Sequence, residues 1–166
     1  MKTTLQHSVR VQSRRGFILA AGLLLAGVLA TAVMAEPGQA QNLDRKGVAV
    51  QGYDPVAFFT DGGPVKGDPK ISSTLHGATY FFASAEHKAA FDKEPGKYEP
   101  QFGGYCAYGV STGKAVEIDV DAFQIVNGRL LMQYSKSVRD KFNKDTQGNL
   151  KLADEKWPEV SKANAK

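Results

Sequence analysis

Residues 76–98 read HGATYFFASAEHKAAFDKEPGKY and contain, in order, a turn, a strand, a helix cap, a helix and a stop. His76-Gly77 predicts the turn, and the β-branched and aromatic run after it is typical of a packed strand. Ser84 can accept a hydrogen bond from a free backbone N–H at the start of a helix over residues 85–93. Pro95-Gly96 then ends that helix, because proline lacks the N–H donor and glycine tolerates the exit geometry.

A similar unit recurs 51 residues further along the chain. Asn127-Gly128 between two apolar runs favours a β-hairpin, because this pair suits a type I′ turn. The matching positions are Gly77, Tyr80, Phe81, Ser84, Phe91, Lys93 and Glu94 in the first copy and Gly128, Leu131, Met132, Ser135, Phe142, Lys144 and Asp145 in the second. With a slip of one residue, Gly52-Tyr53-Asp54 also matches Gly104-Tyr105-Cys106.

This pattern predicts an α+β fold, with a small antiparallel hairpin-based sheet and helices packed on it. We expect two pseudo-repeats, about residues 52–98 and 104–150, that share one core. The alternative is a chance match, because a hairpin followed by a capped helix is a common arrangement. We further expect a strand near residues 114–118 and a last helix that lies across the core around Trp157.

The N-terminus has the order of an export signal. The run SRRGFIL at residues 13–19 is followed by apolar, Gly- and Ala-rich sequence to about Met34, which predicts a signal peptide. The pair Arg14-Arg15 resembles the twin-arginine (Tat) signature and predicts a periplasmic protein. We place cleavage after Ala35, or alternatively after Ala32. An uncleaved membrane anchor is the competing interpretation.

The predicted organisation has four segments. They are a cleaved signal peptide over residues 1–35, a flexible lead-in over 36–46, one domain over 47–158 and a frayed tail over 159–166. Four of the chain's 21 basic residues and none of its 17 acidic residues lie in the signal, so the remainder is formally neutral. A neutral, mixed surface argues against nucleic acid or a membrane surface as the partner of the mature protein. The oligomeric state is left open.

The stretch YFFASAEHKAAF at residues 80–91, followed by Pro95 and Tyr98, resembles the YHS domain, a small metal-associated module related to TRASH domains. Asp54-Pro55-Val56 resembles the opening motif of that module. The whole stretch from Gly52 to Pro158 resembles exported bacterial proteins with a YHS domain. That branch has no settled activity, so the resemblance implies the fold more strongly than a function.

The chain departs from the metal-binding members of the YHS family at the ligand positions. Relatives in copper-transport ATPases carry cysteines where this chain has Ala57, Ala83 and His87. The chain's single cysteine is Cys106, so no intrachain disulfide can form. A four-ligand Cys/His zinc site cannot be assembled from these residues.

Our first hypothesis is a periplasmic protein that binds or handles a soft transition metal such as copper. The candidate ligands are His87, Cys106 and Asp54, because thiolate and imidazole together favour copper over hard cations. Met132 and Tyr105 are candidates for a weak extra ligand. The competing interpretation makes His87 a helix-surface residue and Cys106 a small buried hydrophobe.

Two other functions stay open. The many aromatic residues can line a pocket between the halves, which favours a small-molecule or protein-interaction module without metal. Alternatively, Cys106 is a catalytic nucleophile with His87 as its base. We expect no enzyme activity, because no third orienting residue and no oxyanion-binding motif can be named. His76, in a hairpin turn, is expected to be structural.

Overall fold

The computed structural model describes residues 38–165, and this part of the chain has the predicted α+β fold. The predicted signal peptide, residues 1–35, lies outside the described residues. The helices are α1 (Ala57–Thr60), α2 (Ala85–Lys93), α3 (Pro95–Tyr98), α4 (Ala107–Ser111), α5 (Lys136–Phe142) and α6 (Thr146–Asn164). The strands are β1 (Asp68–Leu75), β2 (Ala78–Phe82), β3 (Asp119–Val126) and β4 (Arg129–Gln133).

The strands form two antiparallel hairpins, each a two-stranded sheet, instead of one common sheet. In the first hairpin, β1 pairs with β2 across the His76-Gly77 turn, and β3 pairs with β4 across Asn127-Gly128 in the second. Both hairpins are irregular near the start of their first strand. The turns are tight because His76 and Asn127 both adopt left-handed backbone angles, with φ of 50° and 53°.

Each hairpin is followed by a helix whose start is capped as the sequence predicts. The Ser84 hydroxyl accepts a hydrogen bond from the N–H of His87 at the start of α2. The Ser135 hydroxyl accepts one from the N–H of Val138 at the start of α5. Serine side chains at this position satisfy N–H groups that have no partner within the helix.

The elements follow the same order in the two parts of the domain. A 3-10 turn, a short helix, a hairpin and a capped helix occur in residues 50–93 and again in residues 102–142. The two 3-10 turns share an unusual left-handed backbone, with φ of 50°, 54° and 78° at residues 50–52 and 57°, 56° and 78° at residues 102–104. These are structural similarities, and an origin by duplication stays a prediction.

Buried side chains from both parts meet in the interior. One cluster joins the first hairpin to the second through Tyr80, Phe82, Phe91, Leu130 and Met132. Another lies between α4, α5 and α6 and contains Val110, Leu131, Phe142, Leu150 and Val160. Backbone contacts also reinforce the outer edges of the hairpins, where residues 48–49 lie along β2 and residues 100–101 lie along β4.

The N-terminal segment differs from the predicted flexible lead-in, because from Gly38 onward it packs on the domain. Ala40 is buried, and its N–H donates to the Ser161 hydroxyl. The N–H of Asn42 donates to the carbonyl of Gly103. These hydrogen bonds fix backbone groups that a solvated leader would leave to water.

Two other predicted boundaries need correction. Residues 114–118 form no strand and connect α4 to β3 as extended chain, where Val116 accepts one hydrogen bond from the N–H of Cys106. The predicted frayed tail is helical as far as Asn164, because Val160 and Ser161 on the last turns are buried. Within residues 38–165, no helix combines the length and the apolar character needed to cross a membrane.

Candidate functional site

A buried carboxylate, Asp54, organises the junction between α1, β2 and α2. Its side chain is fully buried, with 0% exposure. One oxygen, Oδ1, accepts from the N–H groups of Val56 at 2.8 Å and Ala57 at 3.4 Å. The other, Oδ2, accepts from the N–H of Ala83 at 2.8 Å and from Nδ1 of His87 at 2.7 Å. A buried carboxylate needs such a full set of donors, because its desolvation is otherwise costly.

His87 is held in place from two directions. Its backbone is in the first turn of α2, where Ser84 caps it, and its ring nitrogen Nδ1 donates to Asp54. The side chain is 19% exposed, so one side of the ring reaches the surface. There, Nε2 lies 3.3 Å from the hydroxyl oxygen of Thr60 and 4.0 Å from Oδ1 of Asp61.

This geometry determines which imidazole nitrogen is free to act. Because Nδ1 keeps its proton and donates it in a hydrogen bond to Asp54, the neutral ring carries its lone pair on Nε2. A carboxylate that accepts from the far nitrogen of a histidine is the usual arrangement behind metal-ligating histidines, since it fixes the ring and makes the ligand more basic. The same lone pair can also accept a proton. Among the described residues, Nε2 lies near the Thr60 hydroxyl and, at 4.0 Å, near Oδ1 of Asp61. The single proton of the Thr60 hydroxyl is donated to the carbonyl of Val56 at 3.2 Å.

The surface around Nε2 is acidic. Asp61 is exposed and lies at the end of α1, close enough to Nε2 for a weak ion pair. Glu86 precedes His87, and its pKa is lowered by a hydrogen bond from its own backbone N–H, by the Ser84 hydroxyl and by the charge of His87. Glu86 is therefore ionised at neutral pH and is held at the helix start, and Asp61 is the carboxylate that favours a cation beside the ring.

Cys106 occupies the matching turn in the second half, but its thiol faces the interior. The residue is 1% exposed and belongs to the core. Its Sγ lies 3.4 Å from Oε1 of Gln133 and accepts from the N–H of Gly109 at 3.4 Å. Gln133 is itself fully buried, and its Oε1 also accepts from the N–H of Tyr108. The thiol thus caps the start of α4, whereas Asp54 accepts from the N–H groups of Val56 and Ala57 at the start of α1.

The structure brings together two of the three predicted ligands. Asp54 and His87 are in contact, whereas the contacts of Cys106 are with Gln133 and Gly109. Asp54 is turned away from the surface and orients His87 instead of offering a ligand oxygen. Among residues 38–165, no group of three or more His, Cys, Asp or Glu side chains is placed to hold one metal ion. The set His87, Cys106 and Asp54 therefore does not fit a shared ion in this arrangement.

The two weaker candidates are also placed away from the imidazole. Met132 is fully buried in β4 and pairs through its backbone with Cys106. Tyr105 donates its hydroxyl to the carbonyl of Gln41 at 3.3 Å. Nor does any contact join Cys106 to His87, as the thiol–imidazole pair of a cysteine nucleophile would need.

Two residues beside the free nitrogen were not among the predicted site residues. Thr60 and Asp61 end α1, and the sequence DGGP at residues 61–64 reads only as a loop. A usable signal was present, since a carboxylate directly follows a helix that starts at the Asp54 turn. Its distance from His87 depends on how α1 packs on α2, which local sequence does not specify.

Comparison with known proteins adds no relative. No protein-family model matches the chain, and neither does any curated protein or solved structure. The resemblance to the YHS domain accordingly rests on the sequence motifs alone.

Proposed function

We propose that this is an exported, periplasmic YHS-like protein that binds a transition metal ion through Nε2 of His87. Asp54 acts as the positioning residue, and Asp61 is the nearest second ligand. Copper(II) is the leading candidate ion. The observation that carries the proposal is the 2.7 Å hydrogen bond from Nδ1 to the buried Asp54, which leaves Nε2 at the acidic surface.

The donor set favours copper(II) over copper(I). An imidazole with carboxylate and water suits Cu²⁺, whereas Cu⁺ prefers the thiolate and thioether ligands that are buried at Cys106 and Met132. Cu²⁺ also binds such N/O sites more tightly than the other divalent first-row ions. With one imidazole and one carboxylate from the protein, the ion would keep several waters and exchange readily, as handling or transfer of metal requires.

The test is a titration of the purified protein with Cu²⁺, in which calorimetry measures the affinity. The informative variant is His87→Asn, because the asparagine amide can replace Nδ1 as a donor to Asp54 while Nε2 is removed. We expect this variant to lose at least about tenfold in affinity, or 1.4 kcal/mol, and Asp61→Asn to lose less. Cu²⁺ binding that is equal in wild type and His87→Asn would refute the proposal.

Two control variants separate the site from general binding by histidine and thiol. His76→Asn removes the other imidazole of the described chain and keeps a residue that tolerates the left-handed turn. Cys106→Ser removes the thiol. Both variants are expected to bind Cu²⁺ as wild type does. If one of them loses binding while His87→Asn keeps it, the metal ligand is His76 or Cys106 and not His87.

Export is a separate part of the proposal and rests on the sequence at residues 13–35. Arg14→Lys combined with Arg15→Lys is expected to abolish delivery to the periplasm, because the twin-arginine route reads this pair. Cell fractionation followed by immunoblotting measures the outcome. Unchanged export of the double variant would exclude that route.

A further inference from the structure

The end of α1 places two oxygen atoms beside the free nitrogen of His87. The hydroxyl oxygen Oγ1 of Thr60 lies 3.3 Å from Nε2, and Oδ1 of Asp61 lies 4.0 Å from it. The side chain of His87 is 19% exposed and that of Asp61 is 43% exposed, so an ion can reach both from solvent. We call these three side chains the Thr60–Asp61–His87 cluster.

The hydrogen bonds around Thr60 and His87 leave no proton between the two side chains. A threonine hydroxyl has one proton and two lone pairs, and this proton is donated to the carbonyl of Val56. The proton of a neutral His87 ring is on Nδ1, where it is donated to Asp54. Lone pairs of Oγ1 and Nε2 therefore face each other at 3.3 Å, which a cation between them stabilises.

The separations within the Thr60–Asp61–His87 cluster suit ligands of a single ion. Divalent first-row ions hold nitrogen and oxygen ligands at about 2.0–2.2 Å, so two ligands of one ion are about 3 Å apart at neighbouring positions and about 4 Å apart at opposite ones. The observed 3.3 Å and 4.0 Å fall within this span. The Thr60 hydroxyl can bind an ion through a lone pair and still donate to Val56.

The basic residues nearest in sequence are directed away from this cluster. Lys88 follows His87, but its ammonium group pairs with Asp92 one turn further along α2. Lys66 donates to the carbonyl of Gln51. Within residues 38–165, Asp61 forms no ion pair with a lysine or an arginine, so its charge is available to a bound cation.

We propose that the Thr60 hydroxyl is the third protein ligand of the ion at His87, beside Nε2 and the carboxylate of Asp61. This inference rests on the proposed metal site and defines its donor set as one nitrogen and two oxygens. A hydroxyl oxygen is a hard ligand, so Thr60 contributes to the preference for Cu²⁺ over Cu⁺. Within the described residues no three His, Cys, Asp or Glu side chains share an ion, and a hydroxyl supplies the missing third donor.

The experiment compares hydroxyl-free and hydroxyl-bearing residues at position 60 by calorimetric titration with Cu²⁺. Thr60→Val keeps the branched shape without the oxygen, and we expect it to bind about three- to tenfold more weakly. Thr60→Ala should weaken binding in the same way, whereas Thr60→Ser keeps the hydroxyl and should bind as wild type does. Equal urea denaturation midpoints of the metal-free proteins show that the fold is intact.

Thr112→Val is the matched control. Thr112 ends α4 in the second half, and its hydroxyl donates to the carbonyl of Gly109, as that of Thr60 does to Val56. No imidazole faces it, because position 138 holds valine where the first half has His87. We expect Thr112→Val to bind Cu²⁺ as wild type does. Equal weakening by Thr112→Val and Thr60→Val would overturn the assignment of Thr60.

Electron spin echo measurements in D₂O separate a ligand from a merely structural residue. If Thr60 binds the ion, a water replaces it in Thr60→Val, and the deuterium modulation of Cu²⁺ deepens while the imidazole signal stays. Affinity and modulation as in wild type, with binding still lost in His87→Asn, overturn the role of Thr60 and leave the metal site in place. Unchanged binding in His87→Asn refutes the metal site and this inference with it.

Discussion

Asp54 and Cys106 lie at corresponding turns, and each accepts backbone N–H donation at the start of the short helix that follows. Only Asp54 also binds a partly exposed side chain, that of His87. The Asp54 carboxylate has two oxygens, so it can cap α1 and still hold His87 and the N–H of Ala83. The Cys106 thiol accepts one N–H and contacts a buried amide. His87 corresponds to Val138 in the second half, so no imidazole is available there. The difference between the halves lies at these few residues.

The first prediction concerns Asp54→Asn. The amide presents an N–H₂ group where a carboxylate oxygen now accepts N–H donors, so at least one buried donor loses its partner. We expect the free energy of unfolding to fall by about 2–3 kcal/mol, measured by urea denaturation. The matched control is Asp140→Asn on the exposed side of α5, with a change within about 0.5 kcal/mol. An Asp54→Asn protein as stable as the control would contradict the assigned role.

The second prediction concerns Glu99, whose pKa is raised above its ordinary value of 4.5 by burial, against a smaller opposing effect of His76. Because the unfolded chain loses this proton first, stability falls as pH rises from 4.5 through the folded-state pKa. Glu99→Gln should therefore be more stable than wild type at pH 7. The gain should vanish at pH values below 4.5.

Denaturation curves of wild type and Glu99→Gln at several pH values measure this effect. Burial and the charge of Glu99 raise the pKa of the nearby Tyr80. The glutamine of Glu99→Gln therefore also removes a charge that acts on this core residue. Glu155→Gln on α6 is the control. A stability difference that is independent of pH would show that ionisation of Glu99 is not the cause.

At the scale of the elements, the sequence predicts the hairpins and their capped helices well because local residues specify them. Asn127-Gly128 has the backbone preference of its turn, and Ser84 and Ser135 supply the caps within three residues of the N–H groups they bind. The connection at residues 114–118 was predicted as a strand on local preference. In the structure it forms no strand and accepts a backbone hydrogen bond from Cys106 at Val116, a pairing that local sequence does not reveal.

The third prediction is made for the first hairpin turn. His76 has a φ of 50°, a conformation that asparagine tolerates better than most residues, and Asn127 occupies the same position in the second hairpin. We expect His76→Asn to raise the free energy of unfolding by roughly 0.5 kcal/mol. Thermal and urea denaturation provide the measurement. His76→Val is the opposite test and should destabilise the protein, and the reverse order of the two variants would contradict the turn geometry.

At the scale of the whole molecule, the N-terminal segment from Gly38 onward is part of the domain and packs against residues 103 and 161. Gly103 lies directly under this segment, and a Cβ added there would come within 2.0 Å of the Ala40 carbonyl oxygen. Trp157 of α6 is close by on the same side. The polar composition of residues 36–46 predicts a solvated leader. The hydrogen bonds that fix this segment come from residues 103 and 161, far along the chain, so local sequence does not reveal them.

The fourth prediction compares two glycine substitutions that differ in this contact. Gly47 and Gly103 both have positive φ, at 78° and 56°, but a Cβ at Gly47 meets nothing within 4 Å. Gly47→Ala should lower the free energy of unfolding by about 1–2 kcal/mol through backbone strain alone. Gly103→Ala should cost clearly more, because the N-terminal segment must move. Equal costs in urea denaturation would mean that this segment does not press on Gly103.

The candidate site could be predicted from the sequence only in part, for a reason that also belongs to the whole molecule. His87 and Asp54 were predicted together because the motif resemblance places them near each other. The contribution of Thr60 and Asp61, and the inward direction of the Cys106 thiol, depend on packing between elements about 27 residues apart. The structure accordingly joins His87 to Asp54 and leaves Cys106 outside this pair.

The most direct test of the central proposal is pulsed electron paramagnetic resonance of the protein loaded with one equivalent of Cu²⁺. We predict the modulation of a single imidazole, from the nitrogen remote from the metal, with its signal lost in His87→Asn and retained in His76→Asn. A spectrum without an imidazole signal, or one that is unchanged in His87→Asn, would contradict metal binding at Nε2 of His87.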